Sequence, residues 1–182
     1  MKIAVIGRGN VGGGLAERWR RAGHDVTEIG SDGGDASDAA VLLVAVPSAA
    51  IADALAKVTG IAGKTTIDAT NAWGGRDESF PSLAEKVKSI VGGPTAKAFN
   101  LNFANIYDRI DEQPSPPANL YAADDDAREL AEQLIRDAGY EPVYAGGLEN
   151  ARLLEEHLAL MFAISQAGMG PFFYRIASPD AS

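Results

Sequence analysis

The 182-residue sequence contains no cysteine, which excludes disulfides, thiolate catalysis and cysteine-ligated metals. Histidine occurs only twice, and no grouping of His, Asp or Glu has metal-ligand spacing, so no metal site is expected. Positive charge is also in short supply. Sixteen lysines and arginines face 25 acidic residues, for a net charge of -9. That balance argues against nucleic-acid and anionic-membrane partners, which want a basic face. It also means that any anionic ligand must be held by local features, because the global field repels it. Long apolar runs are absent. The longest, Val41 to Val46, stops at Pro47 and is far too short to span a bilayer. The chain opens directly on a strand pattern with no basic leader and apolar signal segment, so a cytoplasmic location is expected. Two catalytic signatures are missing as well: there is no Tyr-x-x-x-Lys pair and no Gly-x-Ser-x-Gly elbow. Gly63-Lys64-Thr65 resembles the tail of a phosphate loop, but Val58 stands where the earlier glycine is needed and a strand follows instead of a helix.

The stretch that organises the chain is its first, Lys2-Ile3-Ala4-Val5-Ile6-Gly7-Arg8-Gly9-Asn10-Val11-Gly12-Gly13. A short Ile/Val-rich run leads into Gly7-x-Gly9-x-x-Gly12, and a helical pattern follows at once. The order strand, glycine turn, helix is the context that makes this spacing a dinucleotide-binding signal. Gly7 would allow the tight turn, Gly9 would let backbone N–H groups approach a pyrophosphate, and Gly12 would let the helix pack close to the strand. The helix start adds unpaired N–H groups and partial positive charge.

Length and an apolar content of 46% fit a single domain over residues 1–182. The periodicities predict a helix from Asn10 to about Ala22, ended by Gly23, and a second strand over Asp25–Ile29, completing a βαβ unit. His24 between them reads as a solvated turn residue. Residues 31 to 38 are polar and glycine-rich and too few for a full crossover helix, so an abbreviated loop with at most one helical turn is expected. Val41–Val46 reads as a central parallel strand, and Ser48 as the cap of a helix to about Lys57. A strand over Thr65–Asn71, a helix from Ser82 to about Val91 and a strand over Thr95–Asn100 follow. Residues 101 to 118, with Pro114, Pro116 and Pro117, read as an irregular mobile flap. Strand, helix and strand are then expected over 119–123, 125–138 and 141–144. A long helical segment occupies 148–176. Ala151, Leu154, Leu158, Met161 and Phe162 form one apolar stripe there, and Leu153, Leu160 and Ile164 a second. One stripe suits the sheet and the other a partner subunit. His157 on that helix reads as structural. The fold class is thus α/β, a Rossmann-type doubly wound and mainly parallel sheet with a shortened crossover after the second strand.

Parallel α/β sheets bind ligands beyond the carboxyl ends of their strands, at the switch in strand order. The strand ends expected there are Gly7–Gly12, Val46-Pro47, Ala69-Thr70-Asn71 and Ala98-Phe99-Asn100. Gly7, Arg8, Gly9, Asn10, Val11 and Gly12 are the candidates for the pyrophosphate, and Ser31 for the adenosine ribose or its phosphate. Val46, Pro47, Thr70 and Asn71 are candidates for the nicotinamide half, and Phe99 and Asn100 for the border of a second substrate. Asp32 would repel a 2′-phosphate while Arg8 would attract one. The residues therefore leave NAD and NADP both open, with a slight lean to NADP.

Ile3–Gly13, Ala45-Val46-Pro47, Ile67–Asn71, Lys97-Ala98-Phe99-Asn100, Leu148–Arg152 and Gly168-Met169-Gly170 together resemble the deazaflavin-dependent NADP reductase family. The resemblance covers nearly the whole chain, with the motifs in the family's order. It implies a homodimer built partly through the C-terminal helix. It also implies hydride exchange between NADP(H) at Gly7–Gly12 and a flavin-like acceptor beside the nicotinamide. The family usually carries Gly-Ser-Arg after the second strand; here Gly30 and Ser31 match and Asp32 replaces the arginine.

With so few candidate acids and bases, hydride transfer to a small planar acceptor of flavin, deazaflavin or quinone type is the leading expectation. A dinucleotide-sensing module without turnover is the alternative. A dehydrogenase for a small hydroxy or imino acid would need a proton donor at the cleft.

Overall fold

Alternation of side chains along a short apolar strand decides how this chain is layered. In β1 (Lys2–Ile6), Ile3 and Val5 enter one core while Ala4 and Ile6 enter another on the opposite face. β4 (Val41–Val44) divides its four residues the same way, Val41 and Leu43 against Leu42 and Val44, which is why it reads as a continuous apolar run. The computed structural model describes residues 1–73, 75–177 and 179; the other positions of the expected 1–182 domain lie outside the described residues.

After β1 come α1 (Asn10–Arg21), β2 (Asp25–Ile29), the two-residue β3 (Gly34–Asp35) and then β4. The middle of the chain supplies α2 (Ile51–Ala56), β5 (Val58–Thr59), β6 (Thr65–Asp68), α3 (Leu83–Val91) and β7 (Thr95–Lys97). The last third adds β8 (Ala118–Ala123), α4 (Asp125–Asp137), β9 (Glu141–Tyr144) and α5 (Ala151–Ile164). Seven strands form one sheet in the order β2-β1-β4-β6-β7-β8-β9. β7 and β8 pair antiparallel, and the remaining neighbours pair parallel. This is a Rossmann-type doubly wound sheet. From β1 the chain first goes outward to β2 and then returns to β4 on β1's other side. The carboxyl ends of β1 and β4 therefore flank a crevice.

α1 lays Leu15, Ala16 and Trp19 on the Ile3/Val5 face, and the Trp19 indole N–H donates to the Leu134 carbonyl of α4 at 2.9 Å. α2 and α3 cover the opposite face through Ile51, Leu55, Leu83 and Val87. Ser82 caps α3 by accepting from the Glu85 N–H at 3.0 Å, a Ser-x-x-Glu start. α5 buries Leu154, Leu158 and Met161 with Ala122 of β8, while Leu153 and Leu160 remain 62% and 53% exposed. The two stripes of this helix thus have separate surroundings.

Several local expectations need correcting. The crossover after β2 is the short loop expected, without a helical turn, but it adds a strand that was not foreseen. Gly34 and Asp35 pair with Val58 and Thr59 as a separate two-stranded sheet. Ser48 does not cap a continuous helix: it lies in a 3-10 turn over Ser48–Ala50, and its hydroxyl donates to the Gly75 carbonyl at 3.3 Å. The proposed flap is anchored. Ala104–Glu112 is 3-10 helical, with Ile106, Tyr107 and Ile110 buried, and Arg18 of α1 clamps it through the Tyr107 carbonyl at 3.0 Å and Asp111 at 2.6 Å. His24 is not solvated. Its side chain is 7% exposed and its Nε2 lies 2.9 Å from Asp137 of α4. His157 bonds the Tyr174 hydroxyl at 3.1 Å, a structural contact.

Candidate functional site

The crevice between β1 and β4 begins with three glycines in three physical situations. Gly7 has φ +108°, and a Cβ there would overlap the Ala45 carbonyl, so the turn out of β1 and the approach of β4 both require glycine. A Cβ on Gly12 would collide with the Gly7 carbonyl, so this glycine brings α1 against its own strand. Gly9 differs: a Cβ there would meet no atom within 4 Å. Gly9 is the N-cap of α1 and carries no side-chain cap, so the first N–H groups of the helix have no side-chain acceptor.

Two cavities meet at Gly9, sharing Ala45, Val46 and Pro47 as well. The first, about 570 Å³, runs from Gly7 and Arg8 across Gly30 and Ser31 to Asp53 and Lys57 of the α2 region. The second, about 320 Å³, runs from Asn10 and Val11 to Ala69, Asn71 and Trp73. Together they make a two-lobed trough across the helix mouth, the shape an extended dinucleotide needs. Gly7, Arg8, Gly9, Asn10, Val11, Ser31, Val46, Pro47 and Asn71 therefore line one trough. Gly12 lies beneath it.

The other candidates lie elsewhere. Thr70 is 2% exposed; its N–H donates to Asp68 Oδ1 at 2.9 Å and its hydroxyl is buried without a partner. Phe99 is in the core. Its backbone takes φ +62°, and its ring stands edge-on to Trp19 and Tyr140 at 5.8 and 6.3 Å. It borders neither lobe, because the left-handed turn after β7 sends the ring under the sheet. Asn100 is also buried, and acts from behind: Asn71 Nδ2 donates to its carbonyl at 2.8 Å, and its own Nδ2 donates to Asn71 Oδ1 at 3.2 Å. The side-chain amide of Asn71 is held at both ends as it faces the second lobe.

The charged and aromatic residues of the trough that escaped the sequence reading are Lys57, Asp53 and Trp73. Lys57 and Asp53 come from the α2 region, and Trp73 from the loop after β6. Trp73 is 61% exposed and stands edge-on to Phe162 of α5, with centroids 4.5 Å apart. On its far side a third cavity of about 340 Å³ is walled by Ala72, Leu158, Ala159 and Phe162, with Glu155 and Glu156 beside them. The only available signal was an aromatic residue two positions past Asn71, at the end of a strand that carries polar groups. Among the described residues, no group of three or more His, Asp or Glu has the geometry to hold a metal ion. None of their helices is long and apolar enough to cross a membrane.

Residues 2–37 match the family described as NADP oxidoreductase, coenzyme F420-dependent. No curated protein matches the chain by sequence. In fold the chain is similar to a protein from Arthrobacter sp. FB24 assigned as an F420-dependent NADP-reductase, with 21% identity over 98% of this chain and 100% of that one and a TM-score of 0.82. It is also similar to a hypothetical protein from Sinorhizobium meliloti, with 27% identity over 81% and 86% of the two chains and a TM-score of 0.67. A reductive aminase from Aspergillus terreus, solved with NADPH and ethyl levulinate, shares 18% identity and a TM-score of 0.68; 93% of this chain covers 62% of that one. The resemblance to deazaflavin-dependent NADP reductases is thus met at the opening βαβ unit and in the fold.

Proposed function

We propose that this chain is an NAD(P)H-dependent oxidoreductase that carries hydride between a nicotinamide dinucleotide and a small planar acceptor of flavin, deazaflavin or quinone type. The observation that carries the proposal is the open space at Gly9. The helix mouth, with no side-chain cap, faces the junction of two connected lobes, and among the described residues no side chain fills the place a diphosphate would take. The residues present fit such a group. The first N–H groups of α1 would hold the pyrophosphate, Ser31 the adenosine ribose, and Val46, Pro47 and Asn71 the nicotinamide half. When bound, the reduced nicotinamide supplies the hydride, and the protein need only position it and keep water out. Asn71, fixed by Asn100, offers an oriented amide to a carboxamide. The apolar wall of Ala45, Val46 and Pro47 excludes solvent. In place of Phe99 and Asn100, the exposed ring of Trp73 becomes the candidate border of the acceptor. The matched family and the structure solved with NADPH support NADP as the cofactor.

Calorimetric titration with NADPH and NADH, followed by steady-state oxidation against a panel of flavins, deazaflavins and quinones, tests this reading. Saturable binding with turnover on one acceptor class supports it. Failure of both nucleotides to bind overturns it, and tight binding with no turnover on any acceptor moves the chain to the sensing class. We further propose a homodimer in which the exposed stripe of Leu153 and Leu160 on α5 is covered by a second copy. Sedimentation equilibrium showing a monomer at micromolar concentration would remove that part.

A further inference from the structure

After β2 the chain carries Asp32 and no basic residue until Lys57, yet the lobe beside Ser31 is not short of positive charge. Among the described residues, every lysine and arginine pairs with a carboxylate except Arg8, Lys57, Lys64 and Arg175. Lys64 donates to the Ser37 and Ala39 carbonyls and Arg175 to Ser115 and Gln113, and neither lines the lobe beside Ser31. The remaining two, Arg8 and Lys57, line the same cavity. In a chain where acids outnumber bases 25 to 16, two cations without carboxylate partners in one lobe mark a place for an anion.

We infer that Lys57 and Arg8, converging on Ser31 from α2 and the glycine turn, form the subsite for the 2′-phosphate of NADP(H) and set the preference over NAD(H). The inference rests on the dinucleotide reading above. Lys57 closes α2, but its ammonium does not stay over its own helix end. It crosses to the Ser31 carbonyl at 3.0 Å, while its main-chain carbonyl accepts from the Gly34 N–H at 3.2 Å. These two bonds bind the loop after β2 to Lys57 and put the ammonium beside Ser31, where the end of the second strand meets a ribose. One of its three N–H donors is used, and two remain.

Arg8 reaches the same edge from the other side. A Cβ on Gly30 would overlap the Arg8 guanidinium, so the glycine that ends β2 is what gives the guanidinium its position. Arg8 makes no side-chain hydrogen bond to the described residues, which leaves its planar fork for a phosphate oxygen pair. Asp53 lines the lobe too, one helical turn before Lys57, without an ion pair to it. It opposes an anion, and two cations outweigh it; its carboxylate suits a neutral donor such as a ribose hydroxyl or an adenine amine. Asp32 is exposed and is not part of the lobe. The cations of this lobe thus come from the glycine turn and from the end of α2, and not from the position after Ser31.

The test is calorimetric affinity at fixed low salt for NADPH, NADH, 2′,5′-ADP and 5′-ADP, on the unaltered protein and on Lys57→Met, Arg8→Met and Asp32→Ala. The unaltered protein should prefer NADPH and 2′,5′-ADP. Lys57→Met should weaken both by about tenfold while moving NADH and 5′-ADP by less than about twofold. Arg8→Met should lower the same preference, and Asp32→Ala should leave all four affinities unchanged. Equal affinity of the unaltered protein for NADPH and NADH overturns the inference while leaving dinucleotide binding intact. Equal weakening of all ligands by Lys57→Met also overturns it, because a lost loop contact acts on the site as a whole. Binding of none of the four takes down the dinucleotide reading itself.

Discussion

Lys97 Nζ lies 2.8 Å from Asp68 Oδ2, and neither side chain presents any surface to solvent. The two residues stand opposite each other on β7 and β6. Glu155 of α5 comes within 3.2 Å of the same ammonium, and Arg76 approaches Glu155 from the loop after β6 at 3.2 Å. Two acids and two bases thus balance in the interior. Lys97 also donates to the Thr70 carbonyl at 2.5 Å, and Glu155 accepts from the Leu83 N–H at 2.9 Å. A buried ion network therefore joins the strand end that carries Asn71 to α3 and α5.

Removing one member of such a network leaves the others charged without compensation. Lys97→Met is expected to destabilise the protein by about 3–5 kcal/mol, because Asp68 and Glu155 lose their shared cation in the interior. Urea denaturation measures it. A loss below about 1 kcal/mol would mean that water reaches the network and that it does not fix the strand end.

The glycines of the opening turn separate folding from binding. Gly9→Val should leave the urea midpoint within about 0.5 kcal/mol of the unaltered protein, since its side chain extends into open space. Dinucleotide binding should be abolished by the same change, because the trough is filled at the helix mouth. Gly12→Val should prevent folding instead, the Gly7 carbonyl having no room to retreat. Circular dichroism and calorimetry on the two variants check both halves. Unchanged nucleotide affinity in Gly9→Val would place the diphosphate elsewhere.

Arg18 and Asp111 give the anchored 104–112 segment a pH dependence. The bond from the Arg18 guanidinium holds the Asp111 carboxyl below the ordinary aspartate range. A depressed folded pKa means that this stability is present above the unfolded aspartate's titration and is lost as pH falls through the folded value. Asp111→Asn should therefore lower stability at pH 7 and reduce the further loss on going to pH 3. Urea midpoints of both proteins at the two pH values decide it. Parallel acid curves would show that the pair contributes nothing.

Periodicity made the scaffold legible, and charge geometry was invisible to it. The alternation in β1 and β4, the Trp19 face of α1 and the Ser82 cap of α3 are all local patterns, readable from neighbours in sequence. Lys57 and Ser31 are 26 positions apart, and Arg8 reaches Gly30 only because β1 and β2 are adjacent. No spacing rule carries such a meeting. Phe99 was misplaced for a related reason: its position at the carboxyl end of a strand made it a candidate for the crevice, and the left-handed backbone there, which a sequence does not announce for a non-glycine residue, buries its ring in the core instead. The proline-rich stretch up to residue 118 read as mobile because its composition is that of a loop. The clamp that orders it belongs to α1.

Trp73 is the residue on which the proposed acceptor side of the site depends. Its ring is 61% exposed where the nicotinamide lobe meets the cavity beside α5, and its only described aromatic neighbour, Phe162, touches it edge-on. A flat conjugated molecule stacked on that ring would cover apolar surface that water now covers, at the edge of the lobe assigned to the nicotinamide. Trp73→Ala should then raise the KM of the acceptor by roughly three- to tenfold. The NADPH dissociation constant should stay within about twofold, because the contacts assigned to the diphosphate and the adenosine half are untouched. Trp73→Phe, which keeps a ring, should recover most of the loss. Steady-state kinetics with the acceptor varied at saturating NADPH, beside calorimetry of NADPH alone, separates the two effects. If NADPH affinity falls in step with acceptor KM, Trp73 supports the nicotinamide lobe itself and the acceptor approaches from another side.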